Sequence, residues 1–137
     1  MILGLDHIAI AVPDLAAAIR RFCEDLGMRL DGTQDVAAAK TRTAFLPAGE
    51  TRIELVHPLD GQGPIQAYLD KRGGGLHHIC FRSDDLDGDI AVLRAKGYRF
   101  TTDGPTPGAH GSRVIFIYPR SADGVLIELA EHPTGQG

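Results

Sequence analysis

Four residues in this chain have the types and spacing to hold a metal. His7 lies in the phrase Leu5-Asp6-His7-Ile8-Ala9-Ile10-Ala11-Val12, and His78 stands 71 positions later in Leu76-His77-His78-Ile79-Cys80-Phe81. Glu54, in Arg52-Ile53-Glu54-Leu55, is matched 74 positions later by Glu128 in Leu126-Ile127-Glu128-Leu129. The chain thus holds two copies of one unit, each with one His and one Glu on an apolar strand. An ionised carboxylate in such a strand is costly to bury unless it is paired or bound to a metal. Two neutral imidazoles and two carboxylates make a hard-to-borderline N2O2 set. With two waters it suits octahedral Co, Mn, Ni or Fe(II); Zn fits as well, and a thiolate site is excluded. The open positions would let a substrate carbonyl or carboxylate replace water and be polarised.

The elements that must position these residues follow from pattern. Residues 5–12 read as a strand ended by Pro13. Asp14 caps a helix with Leu15, Ile19, Phe22 and Leu26 on one buried face, stopped at Gly27. Strands are expected at 28–30, 41–46 and 52–57, with a turn at 47–50. A short helix with Pro64 in its first turn spans 64–71, and Gly73-Gly74-Gly75 breaks the chain. The second copy repeats the order: strand 76–82, cap at Asp84 or Asp85, helix to Lys96 with Ile90 and Leu93 inward, a stop at Gly97, and strands at 113–118 and 125–130. Two copies are too few to stack as a solenoid. The reading is an α+β fold in one domain, residues 1–137, with module one at about 4–60, a linker helix at about 64–72 and module two at about 75–131. The βαβββ modules pair into a curved mixed sheet around a metal cleft. The tail after His132 should fray.

Other reactive side chains read more plainly. His77 should face away from His78 as a packing or supporting residue, His57 should sit at the surface or the cleft rim, and His132 belongs to the tail. Cys23 and Cys80 lack any ligand spacing and read as core thiols. Gly108-Ala109-His110-Gly111 surrounds one His with small residues, a tight loop able to approach a ligand or simply to turn at the surface.

Bulk properties exclude several classes. At 137 residues with a net charge of −4, the chain has no basic footprint for nucleic acid. No apolar run approaches the roughly 18 residues needed to span a bilayer, and the N-terminus lacks a basic leader, so no membrane role and a cytoplasmic location are expected.

At this point the chain resembles the vicinal oxygen chelate superfamily (glyoxalases, bleomycin-resistance proteins and dioxygenases), and most closely its methylmalonyl-CoA epimerase branch. The resemblance runs from Asp6-His7-Ile8-Ala9-Ile10-Ala11-Val12-Pro13 through Ile53-Glu54-Leu55-Val56-His57-Pro58-Leu59, Gly74-Gly75-Leu76-His77-His78-Ile79-Cys80 and Gly108-Ala109-His110-Gly111 to Gly124-Val125-Leu126-Ile127-Glu128-Leu129. It implies His7, Glu54, His78 and Glu128 as ligands of a divalent metal, an acyl-CoA substrate, a loop of Gly108, Ala109, His110 and Gly111 at the substrate, and a homodimer. The implied reaction removes the proton beside a thioester carbonyl, with an acid/base group on each face. One is Glu128. The other, in the family, is a Glu in a Pro-Glu-x-Gly loop. That Glu falls here on Ala38, which cannot move a proton; Asp35 and Lys40 are the nearest substitutes. A glyoxalase-I-like isomerase, with Glu54 and Glu128 as ligand and base, would tolerate Ala38. An Fe(II) dioxygenase using His7, His78 and Glu128, and a non-catalytic binding protein of the same fold, are further alternatives.

Overall fold

The structure, a computed structural model, describes residues 1–134. By contact the chain divides into two units, residues 7–77 and residues 1–6 together with 78 onward.

In the first unit the strands run in the order β2 (Thr33–Val36), β3 (Thr41–Ala48), β4 (Thr51–Pro58) and β1 (Ile2–Ala11). β1 and β4 are parallel; β4, β3 and β2 are antiparallel neighbours. The parallel pair needs a long crossover, and α1 (Leu15–Arg20) lies on it, capped by Asp14, whose carboxylate accepts from Ala17 N at 3.0 Å. Alternation along the strands then sorts the faces. Ile10 and Val12 of the β1 run, Ile53 and Leu55 of β4, and Ala44 and Leu46 of β3 pack with Leu15, Ile19 and Phe22 on one side. Ala9, Ala11 and Val56 face the other way, under Ile65, Tyr68 and Leu69 of α2 (Pro64–Arg72). His7 and Glu54 share this second face by their period-2 relation to Ala9 and Val56.

The second unit repeats the plan. Its strands are ordered β5 (Gly75–Ser83), β8 (Ile127–Glu131), β7 (Arg113–Ile117) and β6 (Thr106–Pro107), with β5 and β8 parallel. α3 (Leu86–Ala95) is capped by Asp85, not Asp84, through Gly88 N at 3.1 Å. Leu86 and Ile90 pack on Phe81, Ile115, Ile117 and Leu129, while Cys80, Val114 and Ala130 take the opposite face. Both modules therefore set a helix on one side and leave small residues beside the His and Glu on the other.

Three expectations fail. No strand forms at 28–30; the chain first bonds to β3 at Asp31 and Gly32, both against Phe45, and the regular register begins at Thr33 opposite Ala44, with Gly32 at φ 93°. Leu26 is 62% exposed rather than buried. The helix widens after Arg20 into one π turn, Arg21–Asp25, with Leu26 N bonding Arg21 O, and the extra residue per turn rotates Leu26 off the buried stripe. His132 is not a loose tail residue: its Nε2 lies 2.9 Å from Asp6 Oδ1, a carboxylate that also accepts from the Arg82 guanidinium. Residues 135–137, the end of the expected frayed tail, lie outside the described residues. Cys23 and Cys80 are free thiols, half-buried and buried. Among the described residues no helix is long and apolar enough to cross a membrane.

Candidate metal centre

The register explains each His–Glu pair. In the first unit Glu54 lies opposite Ala9 on β1 and opposite Phe45 on β3. His7, two residues before Ala9, is on the same face, and its Nδ1 sits 3.1 Å from Glu54 Oε2. In the second unit Glu128 lies opposite Cys80 on β5 and Phe116 on β7. His78, two residues before Cys80, places Nε2 3.1 Å from Glu128 Oε1. The Phe116 ring meets the His78 imidazole edge-on with centroids 5.1 Å apart, which fixes the plane of that ring. His7, Glu54 and Glu128 are all buried, with exposures of 5%, 5% and 7%.

Each pair fits a divalent ion. With metal–ligand bonds of about 2.1 Å, neighbouring donors in an octahedron are about 3 Å apart. The observed nitrogen–oxygen separations match that edge, and burial removes the water that would otherwise solvate the carboxylates. Of the four residues singled out in the sequence, the structure brings His7 beside Glu54 and His78 beside Glu128.

Arg52 was not singled out in the sequence. Its Nε donates to Glu54 Oε2 at 2.7 Å, and its guanidinium carbon lies 5.6 Å from the centre of the Phe45 ring. The signal was there, since Arg52 stands two residues before Glu54 on the same strand face. A surface role for a strand-end Arg is simply more common. Asp6, 4% exposed, was also missed, although a charged residue in an apolar strand is a cue of the same kind.

His77 meets Tyr68 edge-on at 5.0 Å, and the half-buried His57 places Nδ1 2.8 Å from Val12 O.

The Gly108–Gly111 stretch forms a single 3₁₀ turn at Ala109–Gly111 before β7, with exposed His110 in the left-handed region at φ 57°. Ser112 closes it, its hydroxyl donating to Ala109 O at 2.7 Å. A Cβ on Gly108 would lie 2.6 Å from both Ser112 Oγ and Val114 Cγ1. Gly108→Ala is therefore expected to cost about 1–3 kcal/mol of stability through overpacking, read as a lowered denaturant midpoint with an unchanged slope.

The stretch before β3 is a second 3₁₀ turn, Ala37–Ala39, followed by Lys40 at φ 53°, ψ 41°. Ala38 and Lys40 are exposed, and the Lys40 stem lies against Gly63. Asp35 is held by Arg42 across the β2–β3 pair in a two-pronged contact of 2.8 and 3.1 Å. Those hydrogen bonds keep its carboxyl below the usual carboxylate range.

Comparison with known proteins agrees with this plan. Residues 6–116 match the family model described as the Glyoxalase/Bleomycin resistance protein/Dioxygenase superfamily. The chain is 39% identical to an ethylmalonyl-CoA/methylmalonyl-CoA epimerase of Cereibacter sphaeroides, over 96% of this chain and 99% of that protein. The crystal structure of methylmalonyl-CoA epimerase from Mycobacterium tuberculosis is 40% identical with a TM-score of 0.91, covering 96% of this chain and 89% of that one. A variant Streptomyces coelicolor methylmalonyl-CoA epimerase in complex with 2-nitronate-propionyl-CoA is 32% identical with a TM-score of 0.93, covering 98% of this chain and all of that one. The chain belongs to the glyoxalase/bleomycin resistance/dioxygenase superfamily, in its methylmalonyl-CoA epimerase family.

Proposed function

We propose that this protein is a divalent-metal enzyme that removes and returns the proton at C2 of a malonyl-type CoA thioester, with methylmalonyl-CoA the first substrate to test. The observation that carries the proposal is the repeat-related pair of buried His–carboxylate contacts, each at 3.1 Å. In this reading His7, Glu54, His78 and Glu128 hold one metal ion (Co, Mn, Ni, Fe(II) or Zn), and the two modules act as a single domain. When bound, the metal would polarise the thioester carbonyl as a Lewis acid and ease loss of the neighbouring proton. Glu128 takes that proton and returns it. Glu54 serves as a ligand, and the oxygen it turns toward His7, Oε2, also accepts from Arg52. Gly108, Ala109, His110 and Gly111 form the loop that approaches the acyl-CoA. A homodimer in the cytoplasm is the expected setting.

Ala38 occupies the place of the second acid/base. The backbone supports that alignment: Lys40 adopts the left-handed conformation at the position where the family's Pro-Glu-x-Gly loop carries Gly. The turn is kept while the carboxylate is gone. Asp35 is committed to Arg42, so one face of C2 is left without a proton carrier.

The test is solvent deuterium uptake at C2 of methylmalonyl-CoA, followed by mass spectrometry. Uptake should stop after chelator treatment and return on adding Co²⁺. Exchange that continues unchanged in the stripped protein would overturn the metal reading.

A further inference from the structure

Glu54 and Glu128 occupy equivalent places in the repeat, yet their strand neighbours differ in charge. Two residues before Glu54 stands Arg52; two residues before Glu128 stands Leu126. The aromatic opposite each carboxylate is common to both, Phe45 facing Glu54 and Phe116 facing Glu128. At the first site Arg52 brings a cation to the carboxylate. Arg52 is 19% exposed and held from two sides, by the Glu54 carboxylate at 2.7 Å and by the face of the Phe45 ring. Its position is thus fixed by the strand and by packing, unlike that of a solvated surface arginine.

We propose that Arg52 sets the charge of the first half-site and so makes the centre selective for an anionic chelating ligand. The inference rests on the metal reading above. A carboxylate oxygen has lone pairs enough to accept from Arg52 and to bind an ion at once. The guanidinium offsets the Glu54 charge, so a divalent ion bound there keeps more of its positive charge for the incoming ligand. Attraction between unit charges a few ångströms apart is worth kilocalories where water is partly excluded. The centre therefore favours a ligand that chelates through a carboxylate and a second oxygen over an uncharged dicarbonyl. The rival role for Arg52 is a strut that merely aims Glu54.

Calorimetry on the full chain separates the two. Co²⁺ binding is measured first, then malonate binding to the Co²⁺-loaded protein. Arg52→Leu, the residue of the second module, should bind Co²⁺ at least as tightly as the parent, while its malonate affinity falls about tenfold. Arg52→Lys keeps the charge without the fork and should hold malonate affinity close to that of the parent. Arg52→Gln, uncharged and polar, should behave as Arg52→Leu and serves if the leucine variant folds poorly. A loss of Co²⁺ affinity in the uncharged variants with malonate affinity unchanged would establish the strut and overturn the proposal, as would a lysine variant that binds malonate as weakly as the leucine one. A parent protein that binds no Co²⁺ would instead sink the metal reading itself.

Discussion

Glu128→Gln is expected to slow C2 proton loss about a hundred- to ten-thousand-fold, the usual contribution of a positioned acid/base group. The amide keeps the volume of the carboxylate, so the buried site between Cys80 and Phe116 needs no repacking. Its carbonyl oxygen can still face a metal beside His78, but it cannot carry a proton at neutral pH. Metal content, measured on the same preparation, should therefore fall much less than the rate. The converse change, Glu54→Gln, should act mainly on metal content, because in the proposed division of labour Glu54 is a ligand tied to Arg52. Unaltered exchange in Glu128→Gln would exclude it as the base.

The second large effect concerns Ala38. The parent should exchange the C2 proton of one methylmalonyl-CoA epimer with solvent faster than it inverts the centre, since a carrier on one face returns the proton to that face. Ala38→Glu should raise inversion about a hundred-fold or more while changing exchange far less. Chiral analysis alongside deuterium uptake separates the two rates. Asp35→Asn is the control: with Asp35 held by Arg42, neither rate should move. If the parent inverts as fast as it exchanges, a second carrier exists; loss of inversion in Asp35→Asn would identify it as Asp35 despite its contact with Arg42.

Much of this was written in the sequence. The internal repeat announced two like modules, and the matched His and Glu of each copy stood out in it; that each His shares a face with its Glu followed only from the β1–β4 and β5–β8 register. The Asp14 and Asp85 caps follow from local chemistry as well. What escaped depended on partners far along the chain. Residues 33–36, rather than 28–30, become a strand because β3 offers them its edge. The π turn that exposes Leu26 carries no residue signal of its own; Phe22 and Cys23 within it still pack on the core. His132 looked like a tail residue until Asp6, over a hundred positions away, supplied its partner. Arg52 sits between these cases: its spacing was visible, but its burial against Phe45 needed the β3–β4 register.

The left-handed turn at Lys40 has a practical bearing on how activity could be altered. A lost functional group often takes its supporting backbone with it, and recovering the group then means rebuilding the loop. In the proposed reading of Ala38 the bend is kept around a small, exposed residue. A selection that rewards inversion of one epimer could thus succeed from a library varied at position 38 alone. The side chains that survive would rank, in a single background, which proton carriers this scaffold accepts.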